Sequence, residues 1–210
     1  VNILLVDNRD SFTFNLADAC RTAGATVRVV RNSIDADEAL RRAIDDAAIL
    51  MLSPGPGRPE DAGCCLDLIE LARGRVPLIG ICLGHQAIVQ QAGGTVCRAD
   101  APCHGKCSSI DHDGTDLFEG LPSPLGIGRY HSLCTPVSDL PERFRVEAEL
   151  DGMAMAISDM EAGQFGLQFH PESILTPRGD RLIDRLLASA DACRRRFAAD
   201  LRRKRAHRTT

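Results

Sequence analysis

Nowhere in the 210-residue chain does an apolar run approach the eighteen or so residues that a membrane-spanning helix needs, so no membrane anchor is expected. The first residues, VNILLVDNRDS, meet Asp7 before the apolar stretch and cleavage site of a secretory leader are completed, and a cytoplasmic protein is expected. The sequence also lacks a Cys-x-x-Cys pair. Tetrahedral metal sites draw on such close pairs, so neither the adjacent Cys64-Cys65 nor the cluster Cys103, His104 and Cys107 is read as a metal site. Nine cysteines are an odd number in a chain too long for a disulfide-stapled mini-domain, and reduced thiols are the expectation. No internal repeat, low-complexity segment or linker divides the chain.

What is present is ordinary globular composition. Hydrophobic residues make up 44% and charged residues 26%, with mean hydropathy −0.11, enough apolar side chain for one sizeable core. The net charge of −4 hides an asymmetry, because residues 194–210 carry eight Arg or Lys against Asp200 alone, a local +7 that leaves −11 on residues 1–193. Basic tails are usually solvated. The division drawn is therefore one folded domain over 1–193 and a basic C-terminal tail over 194–210, and nucleic acid is not expected as the main substrate.

Residues 2–6 form a short apolar run that ends at Asp7-Asn8-Arg9-Asp10-Ser11, after which Phe12, Leu16, Ala19 and Cys20 recur at helical spacing: strand, loop, helix. Gly24 closes that helix, 26–30 makes a second strand, and a helix over 35–43 has Asp35 as its N-cap. A strand at 48–52, a loop forced by Ser53-Pro54-Gly55-Pro56-Gly57, a helix at 62–72 and a buried strand at 77–81 follow. This alternation predicts an α/β fold, an open, twisted, mostly parallel sheet with helices on both faces. Beyond Gly93-Gly94, the runs 95–98, 106–111, 126–130, 144–150, 153–158 and 165–169 predict antiparallel or mixed strands added to the same sheet, and from 178 the pattern returns to helix.

The most informative stretch is PLIGICLGHQ, residues 77–86. Glycines two before and two after Cys82, directly after a buried strand and opening a helix, match the nucleophile-elbow pattern G-x-[S/C]-x-G. The turn is so tight that flanking side chains would collide with neighbouring backbone, so Gly80 and Gly84 carry none. Cys82 is then held at a helix N-terminus, where the partial positive charge favours a thiolate. Buried structural cysteine is the commonest state of the residue, but none of the other eight has such flanks. A base and an orienter are supplied by Gln168-Phe169-His170-Pro171-Glu172, because in an extended segment i and i+2 share a side and the Glu172 carboxylate reaches the His170 ring. The loop 53–57 is the third element. Two prolines stiffen it, and the N–H groups of Gly57 and Leu83 are the candidate oxyanion donors.

Six motifs, DNRDSFTFNLAD (7–18), LSPGPG (52–57), GICLGHQAI (80–88), HGK with SSIDHDG (104–114), RYHSL (129–133) and GLQFHPESI (166–174), together resemble the class I glutamine amidotransferases, in particular the glutaminase components of anthranilate and para-aminobenzoate synthases. They stand in the family's order and cover the chain to about residue 190. The resemblance implies a Cys-His-Glu triad, here Cys82, His170 and Glu172. It also implies a glutamine clamp of Gly55, Pro56 and Gly57 with Ser132 and Leu133, and Leu83 and Gln86 near the substrate. Gln86 lies one helical turn from Cys82, and its amide both donates and accepts.

The function implied is hydrolysis of L-glutamine through a γ-glutamyl thioester. The ammonia would be supplied to a separate chorismate-binding synthase subunit (component I) that makes anthranilate for tryptophan, with no cofactor or metal in this chain. The same chemistry for para-aminobenzoate, or a stand-alone γ-glutamyl hydrolase, are the alternatives. The loops 8–12 and 104–106 are expected toward the synthase.

Overall fold

A computed structural model describes residues 1–99 and 102–206. The period-two alternation of apolar side chains sets its layers. In the first strand, β1 (Asn2–Asp7), Ile3 and Leu5 face one core while Leu4 and Val6 face another. Such two-sided burial belongs to a sheet covered on both faces. The covering helices are α1 (Thr13–Thr22) and α5 (Gly179–Ala206) on one side. On the other lie α2 (Ala36–Asp45), α3 (Cys65–Ala72) and α4 (Leu83–Gln91). Each fully buried Leu or Ile contributes roughly 1.5–3 kcal/mol.

With β1, the strands β2 (Thr26–Arg31), β3 (Ile49–Leu52) and β4 (Leu78–Ile81) form a parallel block, and β11 (Gln164–Leu167) joins it in parallel beside β4. The antiparallel extension is β10 (Met153–Asp159), β9 (Arg145–Leu150), β6 (Lys106–His112) and β7 (Leu125–Arg129), giving the order β2-β1-β3-β4-β11-β10-β9-β6-β7. The short strands β5 (Cys97–Arg98) and β8 (Leu133–Cys134) pair separately. The expected parallel sheet with added antiparallel strands is thus the observed one. Two finer points differ: the strand expected at 95–98 as part of this sheet is only Cys97–Arg98 and pairs outside it with β8, and β11 is parallel to β4 and antiparallel to β10, forming the seam between the two halves.

Two boundaries differ from the sequence reading. The helix expected at 62–72 begins only at Cys65, after a 3₁₀ turn at Pro59–Asp61, because the chain is pinned at Gly63. Gly63 has φ +59°, and a Cβ there would lie 2.2 Å from the carbonyl oxygen of Asn32. The basic segment expected as a tail is, through Ala206, the last part of α5, which crosses position 193 without a break and buries Phe197 beyond it; residues 207–210 lie outside the described residues. Asp35 caps α2 as expected, its carboxylate accepting the Glu38 N–H at 3.0 Å. Among the described residues, no helix is long and apolar enough to cross a membrane.

Candidate active site

The carboxyl ends of β1, β3, β4 and β11 point the same way, and each hands the chain to a segment that carries candidate site residues. Cys82 follows β4 directly, with φ 52° and ψ −98°, a costly conformation for a residue with a Cβ. It is held by its N–H, which donates to the Leu167 carbonyl at 2.7 Å, and by the start of α4 at Leu83. Crowding accounts for both flanking glycines. A Cβ on Gly80 would lie 2.4 Å from the backbone of Gly84, and one on Gly84 would lie 2.7 Å from the carbonyl oxygen of Leu52.

Beyond β11 the side chains alternate. Phe169 turns into the core, while Gln168 and His170 both reach Cys82. Nδ1 of His170 donates to Oε1 of Glu172 at 2.7 Å, and the two side chains are 3% and 0% exposed. Burial disfavours the charged ring, but hydrogen bonds to Cys82 and Glu172, with the negative charge of each, outweigh it and push the His170 pKa up to about 10. Phe12 and Tyr130 pack on the same ring, with centroids 5.1 and 4.9 Å away. The Tyr130 hydroxyl lies 3.0 Å from Oγ of Ser173. His104 meets Tyr130 edge-on, and the Gly105 N–H donates to the Arg129 carbonyl. The loops 8–12 and 104–106 therefore converge on one aromatic wall over His170.

The rigid loop after β3 is anchored through Asn8, whose backbone N–H donates to Ser53 Oγ at 2.8 Å and whose side-chain amide donates to the Ser53 carbonyl at 2.9 Å. Gly55 is required by contact, since a Cβ there would lie 2.6 Å from Asn8 Cβ and 2.7 Å from Leu83 Cδ2. Gly57 instead has φ +81°. Pro56, Gly57 and Leu83 line one cleft of about 400 Å³ together with Asn8 and Asp61, and neither Cys82 nor His170 is part of its lining.

Gln86 and Leu133 also meet. Nε2 of Gln86 donates to the Leu133 carbonyl at 3.2 Å and to Oε1 of Gln168 at 3.0 Å. Both amide donors are thereby engaged within the protein, and Oε1 of Gln86 is the end left for a ligand. Ser132 is exposed, its carbonyl accepting from Ala99.

Gln168, Tyr130, His131 and Arg129 are the site residues that sequence reasoning missed. For Gln168 a signal existed, because the i, i+2 rule that joins His170 to Glu172 extends back to it. Arg129 ends β7, and Tyr130 and His131 lie in the turn between β7 and β8, which has no periodicity to read. Among the described residues no group of three or more His, Cys, Asp or Glu is placed to hold a metal ion, and no disulfide is formed.

Comparison with known proteins agrees with this geometry. Residues 4–190 match the family model for glutamine amidotransferase class-I. The chain is 49% identical over 203 residues to the pyocyanine-specific anthranilate synthase component 2 of Pseudomonas aeruginosa, covering 95% of this chain and 100% of that protein. It is 47% identical over 183 residues to anthranilate synthase component 2 of Haemophilus influenzae, covering 87% and 94%. A crystal structure from Thermoplasma acidophilum, described provisionally as one component of a GMP synthase, superposes with a TM-score of 0.80 at 24% identity, covers 93% of this chain and 96% of that one, and shows the shared fold. With the family model spanning nearly the whole described domain and the relatives near half identical, the chain belongs to the class I glutamine amidotransferases.

Proposed function

We propose that the chain is the glutaminase component of an anthranilate synthase, hydrolysing glutamine and handing ammonia to a chorismate-binding component I for tryptophan synthesis. The observation that carries the chemistry is Cys82 at the elbow, sharing the buried His170 ring with Glu172. The Cys82 thiolate attacks the carboxamide carbon of glutamine. N–H groups of Leu83 and Gly57 hold the oxygen as it becomes negative. A protonated His170 is the acid that leaving ammonia requires, and its raised pKa keeps it so. Water then attacks the γ-glutamyl thioester with His170 as base, releasing glutamate and the thiolate. Gly55, Pro56, Gly57, Ser132 and Leu133, with Oε1 of Gln86, clamp the amino-acid end of the substrate.

The relatives' shared role favours anthranilate as product. A cytoplasmic location is part of the same reading, since nine cysteines, an odd number in a chain of 210 residues, fit reduced thiols.

The test is reconstitution with component I, scoring glutamine-dependent and ammonia-dependent product. Cys82→Ala should abolish the first and spare the second. An electrophilic glutamine analogue should label Cys82 alone, because the glutamine clamp holds the reagent's amino-acid end and delivers its electrophile to that sulfur. A Cys82→Ala chain that still hydrolyses glutamine would overturn the assignment, and 4-amino-4-deoxychorismate as the product would move the chain to para-aminobenzoate synthesis.

A further inference from the structure

The group nearest the sulfur that the glutaminase mechanism leaves without a task is an amide. Gln168 is fully buried, and its Nε2 stands 3.7 Å from Sγ of Cys82, within range for an N–H donor to sulfur. Which end of that amide faces the sulfur is settled at the Leu133 carbonyl, which accepts from both His131 and Gln86. Arg129 is always a donor, and its Nε gives to Nε2 of His131 at 3.1 Å. The His131 proton must then sit on Nδ1, which donates to the Leu133 carbonyl at 2.8 Å. Burial holds His131 neutral, with its pKa pushed down to about 4.

A carbonyl only accepts, so Gln86 must turn its NH₂ toward Leu133. The second N–H of that NH₂ meets Oε1 of Gln168. A flipped Gln168 would set two NH₂ groups against each other, so its NH₂ faces Cys82.

We propose that Gln168 is a further catalytic residue, donating a hydrogen bond to the Cys82 sulfur that favours its thiolate form and is oriented through Gln86 and the Leu133 carbonyl. The inference rests on Cys82 being the nucleophile. The donor acts twice: it raises the thiolate population before attack, and it receives the sulfur when the thioester carbon–sulfur bond breaks and the electron pair returns to sulfur. It also ties the nucleophile to Gln86 and Leu133, so that a ligand shifting Leu133 or Gln86 shifts the donor.

The readout is the pH dependence of iodoacetamide alkylation at the Cys82 peptide, followed by mass spectrometry on the full chain, which needs no turnover. The titratable groups around Cys82 are His170 with Glu172 behind it, His131, and His85 on α4. His131 and His85, pushed down to about 4 and about 3, are neutral throughout the working range, so the profile reads the Cys82–His170 pair.

Gln168→Leu removes the donor, and the profile should move up by about one pH unit or more, with kcat/KM for glutamine falling about ten- to a hundredfold at pH 7. Gln168→Glu keeps the length and the acceptor for Gln86 but supplies no donor when ionised, and should move the profile at least as far; it serves if the Leu variant fails to fold. A folded variant of either kind with the wild-type alkylation profile overturns the proposal, whatever its turnover. Wild-type enzyme that hydrolyses glutamine after complete alkylation of Cys82 instead overturns the nucleophile assignment, an outcome the Gln168 profiles cannot mimic.

Discussion

The two nitrogens of the His170 ring face different partners, and substitutions separate the tasks proposed for them. Nδ1 is committed to Glu172 while the other nitrogen faces the sulfur. In the proposed mechanism Glu172 orients the ring and supports its charge, whereas only the ring moves protons. His170→Asn should therefore cost more than Glu172→Gln, with general acid–base effects of about 10²–10⁴-fold. The pH behaviour follows from the raised pKa. A group raised in the folded state stabilises the fold fully below its unfolded value, near 6.5 for histidine, and that contribution is lost as pH rises through about 10. The alkaline limb of glutaminase activity should accordingly lie high in wild type. In Glu172→Gln, which removes one of the influences holding the proton, it should move to lower pH. A Glu172→Gln profile that superposes on wild type after scaling, or a larger loss in Glu172→Gln than in His170→Asn at saturating glutamine, would show that the carboxylate does more than orient.

At the scale of elements, the elbow is a contact between β3, β4 and α4 that only glycine allows. In Gly84→Ala the new methyl would meet the Leu52 carbonyl oxygen at 2.7 Å and Leu52 Cβ at 2.8 Å, both on a fully buried strand. α4 must shift, carrying Leu83 and Gln86 with it, so stability should fall by about 1–3 kcal/mol and glutaminase activity should be lost. Gly93→Ala is the control: it also introduces a side chain, but nothing lies within 4 Å and only the positive φ of 89° is strained, so its cost should be about 1 kcal/mol with activity retained. Urea midpoints and glutamine turnover for the pair decide this, and equal loss of activity in both would remove the steric account of the elbow.

The same contacts explain what was legible. The elbow, the Asp35 cap and the His170–Glu172 pair are local, with spacings of two to four residues, and the sequence displays such spacings. The late start of α3 depends on Asn32 approaching Gly63 from across the chain, and the parallel seat of β11 depends on which strand it meets. The packing of Tyr130 on His170 is likewise non-local. Composition placed a boundary at 193/194, whereas packing continues to Phe197, whose ring lies 2.9 Å from where a Cβ on Gly163 would stand.

For the molecule as a whole, the candidate site is closed. Cys82, Gln86 and His170 are 7%, 3% and 2% exposed, and the wall of Phe12, Tyr130 and His104 stands over the histidine. Entry of glutamine is therefore expected to require movement of that wall, to which the 8–12 loop contributes Phe12 and the 104–106 loop His104. An isolated chain with a permanently open site would consume glutamine without an acceptor for the ammonia, so docking of component I is expected to drive the rearrangement, the gating task loops commonly serve. Lys106 is placed to report this. It is exposed at the start of β6, beside Arg129, and both line one cleft of about 370 Å³. Charges at an interface rim act mainly on encounter and registration. Lys106→Glu should therefore raise the half-saturating concentration of component I about fivefold or more, as loss or reversal of a rim charge worth about 1 kcal/mol would do. The basal rate of the isolated chain should be nearly unchanged. Titration of component I into wild type and variant, giving the same half-saturation and the same maximal stimulation, would exclude Lys106 from the docking surface and leave the 8–12 loop as the side of the wall that the partner moves.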